Sequence, residues 1–303
     1  MAKKKVKASR RCANGPVTLN VNVNVSVYLN GEAVSETVTS VDSGEPAPLV
    51  PPRKPLRGKT HKQYSSALGR TMKYRVYGDR GLPLVAFPTS EAHYTQWEEF
   101  GMTEALRDLI DDGAIQVWTV DTIDAETFFP PVDEYLLIGT AMERYQRYLD
   151  YLRDEFFPHL MATTGQAPIL TGCSMGAYHA ANYFFRYPEK IAGVIALSGV
   201  YTLSHFLGST SASAVAENSP LEYLRDLNEH PRNQYLGRKL IFCAGQGPNE
   251  QEMLIDTRAL GELLAAREIP AWVDIWGEES AHDWPWWFAQ MKYFLGKVLG
   301  AQS

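Results

Sequence analysis

The sequence predicts a mostly parallel α/β sheet with helices on both faces, preceded by an N-terminal β-hairpin arm. Three observations predict it. From about residue 60 onward, short apolar runs alternate with stretches of helical period, the pattern of strands joined by crossover helices. Before that point the pattern is different: "VTLNVNVNVSVYLNG" places Val17, Leu19, Val21, Val23, Val25, Val27 and Leu29 on alternate positions. That is the period of a strand with one buried face. Finally, 303 residues, 45% of them hydrophobic, suffice for one such sheet with an appendage.

Residues 1–16 read as a basic tail, with Lys3, Lys4, Lys5, Lys7, Arg10 and Arg11 in its first eleven positions. Residues 17–43 read as the hairpin arm, because Asn30-Gly31 is a strong two-residue turn signal. A lone hairpin is marginal in water, so its apolar face needs cover, and a homo-oligomer packed through residues 17–41 is expected. Residues 44–59 hold five prolines (Pro46, Pro48, Pro51, Pro52, Pro55) and read as an extended linker. Residues 60–303 form the main domain.

Within that domain "MKYRVYG" and "LPLVAFP" read as strands, "MTEALRDLIDDG" as a helix, "IQVWTVD" as a strand and "GTAMERYQRYLDYLRDEFFPHL" as a long amphipathic helix. "APILTG" is a strand, and the run from Gly176 is a helix. "IAGVIALSG", "KLIFCAG" and "PAWVDIW" add three strands, with a helix over "QEMLIDTRALGELLAARE". Their apolar continuity is that of strands covered on both faces. No internal repeat interrupts the series.

Charge and composition exclude several functions. The tail takes six of the 29 basic residues, leaving 23 against 35 acidic ones and a net charge of −12. The body is therefore not a general nucleic-acid binder, and polyanion contact is expected only through the tail. Three cysteines, Cys12, Cys173 and Cys243, do not make a disulfide framework. No apolar run of about 18 residues is present to span a bilayer, and the basic start lacks a signal-peptide core. A cytoplasmic location follows. No cluster has zinc or calcium spacing, so neither metal nor cofactor is expected.

"LTGCSMGAYHAANYFFRYP" carries the chemistry. Ser174 stands between Gly172 and Gly176, where an apolar strand ends and a helix begins. A sharp turn there lifts the hydroxyl above the sheet, and the flanking glycines let backbones pass closely. The helix N-terminus supplies free N–H groups to a developing oxyanion. A serine hydroxyl needs a base, and on such sheets the acid and then the histidine follow the serine in the chain. His282, in the loop after "PAWVDIW", occupies the place of the base. His179 lies inside the helix after Ser174 and reads as packing; His205 and His230 lie in the irregular region after "IALSG", with nothing in the sequence to position them.

The acid should follow "KLIFCAG". The loop "GQGPNEQE" offers Glu250, nearer the strand end and preferred, and Glu252 as the alternative. Asp256 and Asp274 read as structural or surface groups.

Taken together, "LGRTMKYRVYGDRGLPLVAFPTS", "WEEFGM", "GCSMGAYHAANYFFRYPEKIAGVIALSGVY", "NSPLEYLRDL", "CAGQG" and "HDWPWW" resemble the putative esterase (esterase D-like) family of α/β-hydrolases over roughly residues 60–300. The resemblance implies the α/β-hydrolase fold and a serine carboxylic-ester hydrolase acting on a small-molecule ester. It implies Ser174, His282 and Glu250 as the triad, and an oxyanion hole of the Met175 N–H with that of Ser90 or Glu91. Two departures stand out. Glu91-Ala92 occupies a place where the family often has glycine, and a carboxylate there would oppose an oxyanion; "GSTSASAVAENSP" replaces a stretch usually richer in aromatic residues and aspartates.

Trp284, Trp286 and Trp287 surround the base in sequence. They read as a plug that fixes its loop, or as a cleft wall, for which Trp97, Trp284 and Trp286 are candidates, Trp97 reading equally as packing. Cys173 reads as a small buried residue rather than a second nucleophile. Two other functions use the same sequence: a self-assembling or polyanion-binding scaffold in which the arm and tail act, and acyl transfer to an alcohol other than water.

Overall fold

In the computed structural model the described residues are 27–29, 32–34, 53–129, 138–207, 213–225 and 232–300. The chain divides into two compact units, residues 1–53 and 54–303. In the first, β1 (Val27–Leu29) pairs antiparallel with β2 (Glu32–Val34), Leu29 facing Glu32 across the two intervening residues Asn30 and Gly31. The rest of the expected arm, the tail, most of the expected linker and the assembly surface over residues 17–41 lie outside the described residues.

The second unit is an eight-stranded sheet of order β10-β9-β8-β7-β5-β6-β4-β3. β3 (Lys59–Ser65) and β4 (Arg70–Tyr77) form an antiparallel hairpin, and β4 runs antiparallel to β6 (Ile115–Val120). All other pairs are parallel: β5 (Leu82–Phe87) with β6 and with β7 (Ile169–Cys173), β7 with β8 (Gly193–Leu197), β8 with β9 (Lys239–Ala244), and β9 with β10 (Trp272–Ile275). The parallel strands that the sequence predicts are all present. β3 is an addition. Its sequence, "KTHKQYS", is polar on both faces, as edge strands tend to be, and so carries no apolar period.

Alternation along the inner strands divides the core into two layers. Leu84, Ala86, Ile169, Ile195, Leu197 and Ile241 face one side and pack with Met291, Phe294 and Leu295 of the C-terminal helix Trp284–Gly300. Val85, Phe87, Leu170, Val194, Ala196 and Phe242 face the other, against helix Met175–Arg186 and the helices of residues 138–164. Burial of a Leu, Ile or Phe side chain contributes on the order of 1.5–3 kcal/mol, so these layers hold the sheet rigid beneath its C-terminal edge.

Two predicted helices are interrupted. The long one runs as helix Ile138–Tyr151, a π-helical turn Leu152–Phe156 and helix Phe157–Thr164. Pro158 is the physical cause: it has no N–H, and its ring would strike the carbonyl one turn earlier. The stretch 102–113 forms two short pieces, Met102–Ala105 and Arg107–Asp111.

Residues 54–58, expected as the end of the linker, lie on the second unit. Lys54 offers its carbonyl to Arg107 (2.7 Å), and Arg57 donates to Glu98 (2.7 Å). Glu98 also accepts from Arg75 (2.9 Å), the Tyr77 hydroxyl (3.0 Å) and the Gly58 N–H (3.3 Å). Burial alone would raise the Glu98 carboxyl, but these donors outweigh it and hold the group below its usual 4.5. Burial and, after it, the same carboxylate push the Tyr77 phenol up. A depressed folded-state pKa adds stability that is fully present above the unfolded value and disappears as pH falls through the folded one. Urea unfolding of Glu98→Gln should therefore show a lower midpoint than wild type at pH 7, with the gap closing as the pH drops below about 4. A gap independent of pH would contradict the role given to this carboxylate.

Candidate active site

Ser174, Glu250 and His282 all follow the C-terminal ends of strands. β7 ends at Cys173, and Ser174 takes φ 56° and ψ −125° before helix Met175–Arg186 begins. This left-handed conformation costs a non-glycine residue about 1–3 kcal/mol. The neighbours hold it there. A Cβ on Gly172 would lie 2.3 Å from the Gly176 carbonyl carbon, and one on Gly176 would lie 2.4 Å from the Phe87 carbonyl oxygen. Only glycine at both positions lets β7, the helix and β5 approach so closely. Ser174 N–H bonds the Leu197 carbonyl (2.9 Å), while its own carbonyl receives Ala177 N–H (3.0 Å).

The candidate acid Glu250 and candidate base His282 lie on two loops laced together by backbone bonds. Gly247 N–H donates to Ser280 O (2.9 Å), Gln246 N–H to Gly277 O (3.2 Å) and His282 N–H to Pro248 O (3.0 Å). Gly245 is needed for this approach, since a Cβ there would meet Ser280 O at 2.0 Å. The lacing sets His282 Nδ1 3.5 Å from Glu250 Oε1. Such contacts are commonly long in a resting site and tighten as charge develops on the ring. Glu250 is fully buried. Glu252, the alternative acid, is exposed and lies 3.8 Å from His205 instead.

Ser198, which sequence reasoning missed, and Trp287, one of the three tryptophans read as a plug for the His282 loop, complete the support of this pair. Ser198, at φ 51° beyond β8, donates its hydroxyl to Glu250 Oε1 (2.5 Å) and accepts the Trp287 indole N–H (2.9 Å). Trp287 in turn meets the His282 ring edge-to-face, centroids 4.9 Å apart. Nothing in "IALSG" marks Ser198. Trp287 had a signal, because in a helix beginning at Trp284 positions 284 and 287 share a face.

The cleft above Ser174 has a volume near 340 Å³ and is lined by Thr89, Ser90, Gln96, Phe100, Ser174, His282, Asp283, Trp284 and Trp287. Of the expected wall residues, Trp284 lines it. Trp97 does not: it is buried in the core. Trp286 is absent from the lining, and Trp287 takes that role, because the residues after Asp283 are helical rather than loop.

A turn closed by Ala92 N–H to Thr89 O (3.1 Å) forms the opposite lip. Gln96 clamps it, its Oε1 accepting Thr89 N–H (2.9 Å) and its Nε2 donating to Thr89 Oγ1 (2.6 Å). Thr89 N–H is thus occupied, whereas Ser90 reaches the cleft with no protein acceptor for its N–H among the described hydrogen bonds; Met175 N–H has none either. Glu91 adopts φ 55°, the conformation glycine takes with ease at this place. Its side chain is exposed and lies outside the cleft lining.

The remaining candidates are accounted for structurally. His179 is buried, its Nε2 2.8 Å from Asp124 and its Nδ1 3.1 Å from the Tyr145 hydroxyl. His205 does have partners: Asp256 Oδ1 lies 3.2 Å from its Nε2, and Asp256 Oδ2 accepts Tyr201 N–H (2.6 Å). His230 lies outside the described residues. Cys173 and Cys243 are buried. Burial and the Glu250 carboxylate push the Cys173 thiol up, and burial, Asp274 and Glu250 do the same to Cys243, so neither supplies a thiolate.

Fold and site together define an α/β-hydrolase. The chain belongs to the putative esterase family, whose description, Putative esterase, matches residues 65–297, and it is by that membership a carboxylic-ester hydrolase. Among solved structures it is similar to a ferulic acid esterase from Anaeromyces mucronatus, with a TM-score of 0.60, 15% identity, and 82% of this chain and 92% of that chain covered. It is similar to the fluorophosphonate-binding serine hydrolase FphF from Staphylococcus aureus (TM-score 0.59, 14% identity, 81% and 99% covered). It is also similar to an S-formylglutathione hydrolase from Agrobacterium tumefaciens (TM-score 0.59, 15% identity, 82% and 95% covered). At these identities the likeness is one of fold. No curated protein matches the chain. Among the described residues no helix is long and apolar enough to cross a membrane.

Ser198→Ala should leave the Trp287 N–H and Glu250 short of a partner. Loss of a buried hydrogen bond to a charged group predicts a fall in unfolding free energy of about 1.5–3 kcal/mol, read by urea titration, with a lower kcat and a KM little changed. Unaltered stability and turnover would show that the Ser198 hydroxyl supports nothing.

Proposed function

We propose that the protein hydrolyses carboxylic esters through an acyl-enzyme intermediate, with Ser174 as nucleophile, His282 as general base and acid, and Glu250 as the group that orients His282. The observation that carries the proposal is that Ser174, on its left-handed bend, and His282 line one cleft while the buried Glu250 stands 3.5 Å behind the imidazole. His282 takes the serine proton as Oγ attacks the ester carbonyl, and returns it to the leaving alcohol as the C–O bond breaks. Water then attacks the acyl-serine carbonyl, giving its proton to His282, and the acid and Ser174 hydroxyl are released. The Met175 and Ser90 N–H groups receive the tetrahedral oxyanion. Glu250 fixes the imidazole tautomer and stabilises the imidazolium.

The cleft volume near 340 Å³ suits a small acyl group. Acyl transfer to another alcohol uses the same residues and differs only in the acceptor. The presence of all three triad members argues against a purely structural scaffold. Similarity to a ferulic acid esterase and to an S-formylglutathione hydrolase supports ester or thioester chemistry.

Turnover of a series of esters graded in acyl length should be measured for wild type, Ser174→Ala, Glu250→Gln and Glu252→Gln. Ser174→Ala should abolish turnover; Glu250→Gln should lower kcat on the order of 10²-fold or more, and Glu252→Gln should stay near wild type. Turnover that survives in Ser174→Ala would overturn the mechanism, and the reverse ranking of the glutamates would move the acid to Glu252.

A further inference from the structure

The wall of the cleft away from Ser174 carries chemistry that ester cleavage itself does not use. Phe100 is 53% exposed, a large apolar ring left in water, although one of its faces stacks on Trp284 (centroids 4.9 Å apart, planes 21° apart). Directly before Trp284 stands Asp283. Its Oδ1 accepts the Trp284 N–H (2.7 Å) and so caps the last helix, leaving the carboxylate at the cleft with no cation paired to it among the described residues. Among the lining residues Asp283 is the one with a fixed charge; no lysine or arginine faces it there.

A negative charge in the same cleft as a developing oxyanion is unfavourable for an uncharged substrate. It becomes favourable when the substrate brings a positive charge with it. The face of an exposed aromatic ring attracts an alkylammonium group through its quadrupole, and the Asp283 carboxylate, itself exposed, adds a solvent-screened Coulomb attraction. An aromatic pair and an unpaired carboxylate on one wall are therefore complementary to a cation attached to a compact apolar group.

We propose that the cleft selects esters bearing a cationic substituent, an alkylammonium or trimethylammonium group, which sits against Phe100 and Trp284 with Asp283 as its counter-charge. This inference rests on the hydrolase reading of Ser174. It makes Asp283 and Phe100 specificity-determining residues, distinct from the triad.

Butyrylcholine and 3,3-dimethylbutyl butyrate test it, since they have the same shape and differ by one charge. For wild type, kcat/KM for the cationic ester should exceed that of the neutral one severalfold, the scale of one exposed cation–π contact plus a solvent-screened ion pair. Asp283→Asn keeps a side chain able to cap the helix and removes the charge. It should bring the ratio closer to one. Phe100→Ala should lower turnover of the cationic ester more than of the neutral one. Affinities of both esters for Ser174→Ala protein, measured by calorimetry, read the same preference without catalysis. Preferential binding of butyrylcholine without turnover by wild type would sink the hydrolase reading and uphold the charge selection. Equal turnover and equal affinity, or a ratio unchanged in Asp283→Asn, would overturn the proposal itself.

Discussion

The closeness of three backbones at Gly172, Gly176 and Phe87 is the constraint on which the rest depends. With no Cβ at either glycine, β7 can end directly under the first turn of helix Met175–Arg186, and that helix can lean on the end of β5. The bend forces Ser174 into a left-handed conformation, and the cost is met by layers of buried side chains on both faces of the sheet. A Leu-, Ile- and Phe-rich core on each side resists the relaxation that would let Ser174 fall back to an ordinary turn. Substitution at either glycine would therefore act on the site through the strand and helix together.

The same device recurs where Glu250 and His282 meet. Gly245 and Gly247 let the loop after β9 touch the loop after β10, and three backbone hydrogen bonds fasten them. Glu250 and His282 are thus placed by main-chain geometry, with Ser198 and Trp287 adjusting the side chains. A buried carboxylate is costly without donors. Here the Ser198 hydroxyl donates to Oε1 and the imidazole stands 3.5 Å from the same oxygen, so the proposed electrostatics would come from groups that are fixed before any ester arrives. That is the economy of preorganisation.

Much of this was legible in the sequence because it follows from local pattern. The inner strands are continuous apolar runs, and Ser174 and His282 fall at strand ends in the order that the fold demands. Glu250 was distinguishable from Glu252 only by nearness to the strand, and the structure separates them by burial. What escaped depended on tertiary approach. β3 carries no apolar period because it is a polar edge. Ser198 looks like any strand-terminal serine, and Gln96 acts through a turn seven residues away. Of the three tryptophans after the base, Trp284 and Trp287 reach the cleft and Trp286 is absent from its lining, a division set by the helix that begins at Trp284. Trp97 lies in the core, in one cluster with Met102 and Trp287.

The most direct measurement is the site of covalent capture. Wild-type protein should be inactivated with an alkyl fluorophosphonate, digested, and mapped by mass spectrometry, with residual ester turnover followed in the same sample. One adduct per chain on Ser174, formed in step with loss of turnover, is the expected result. Stoichiometric modification of another residue, or complete inactivation with Ser174 unmodified, would contradict the placement of the nucleophile on this bend.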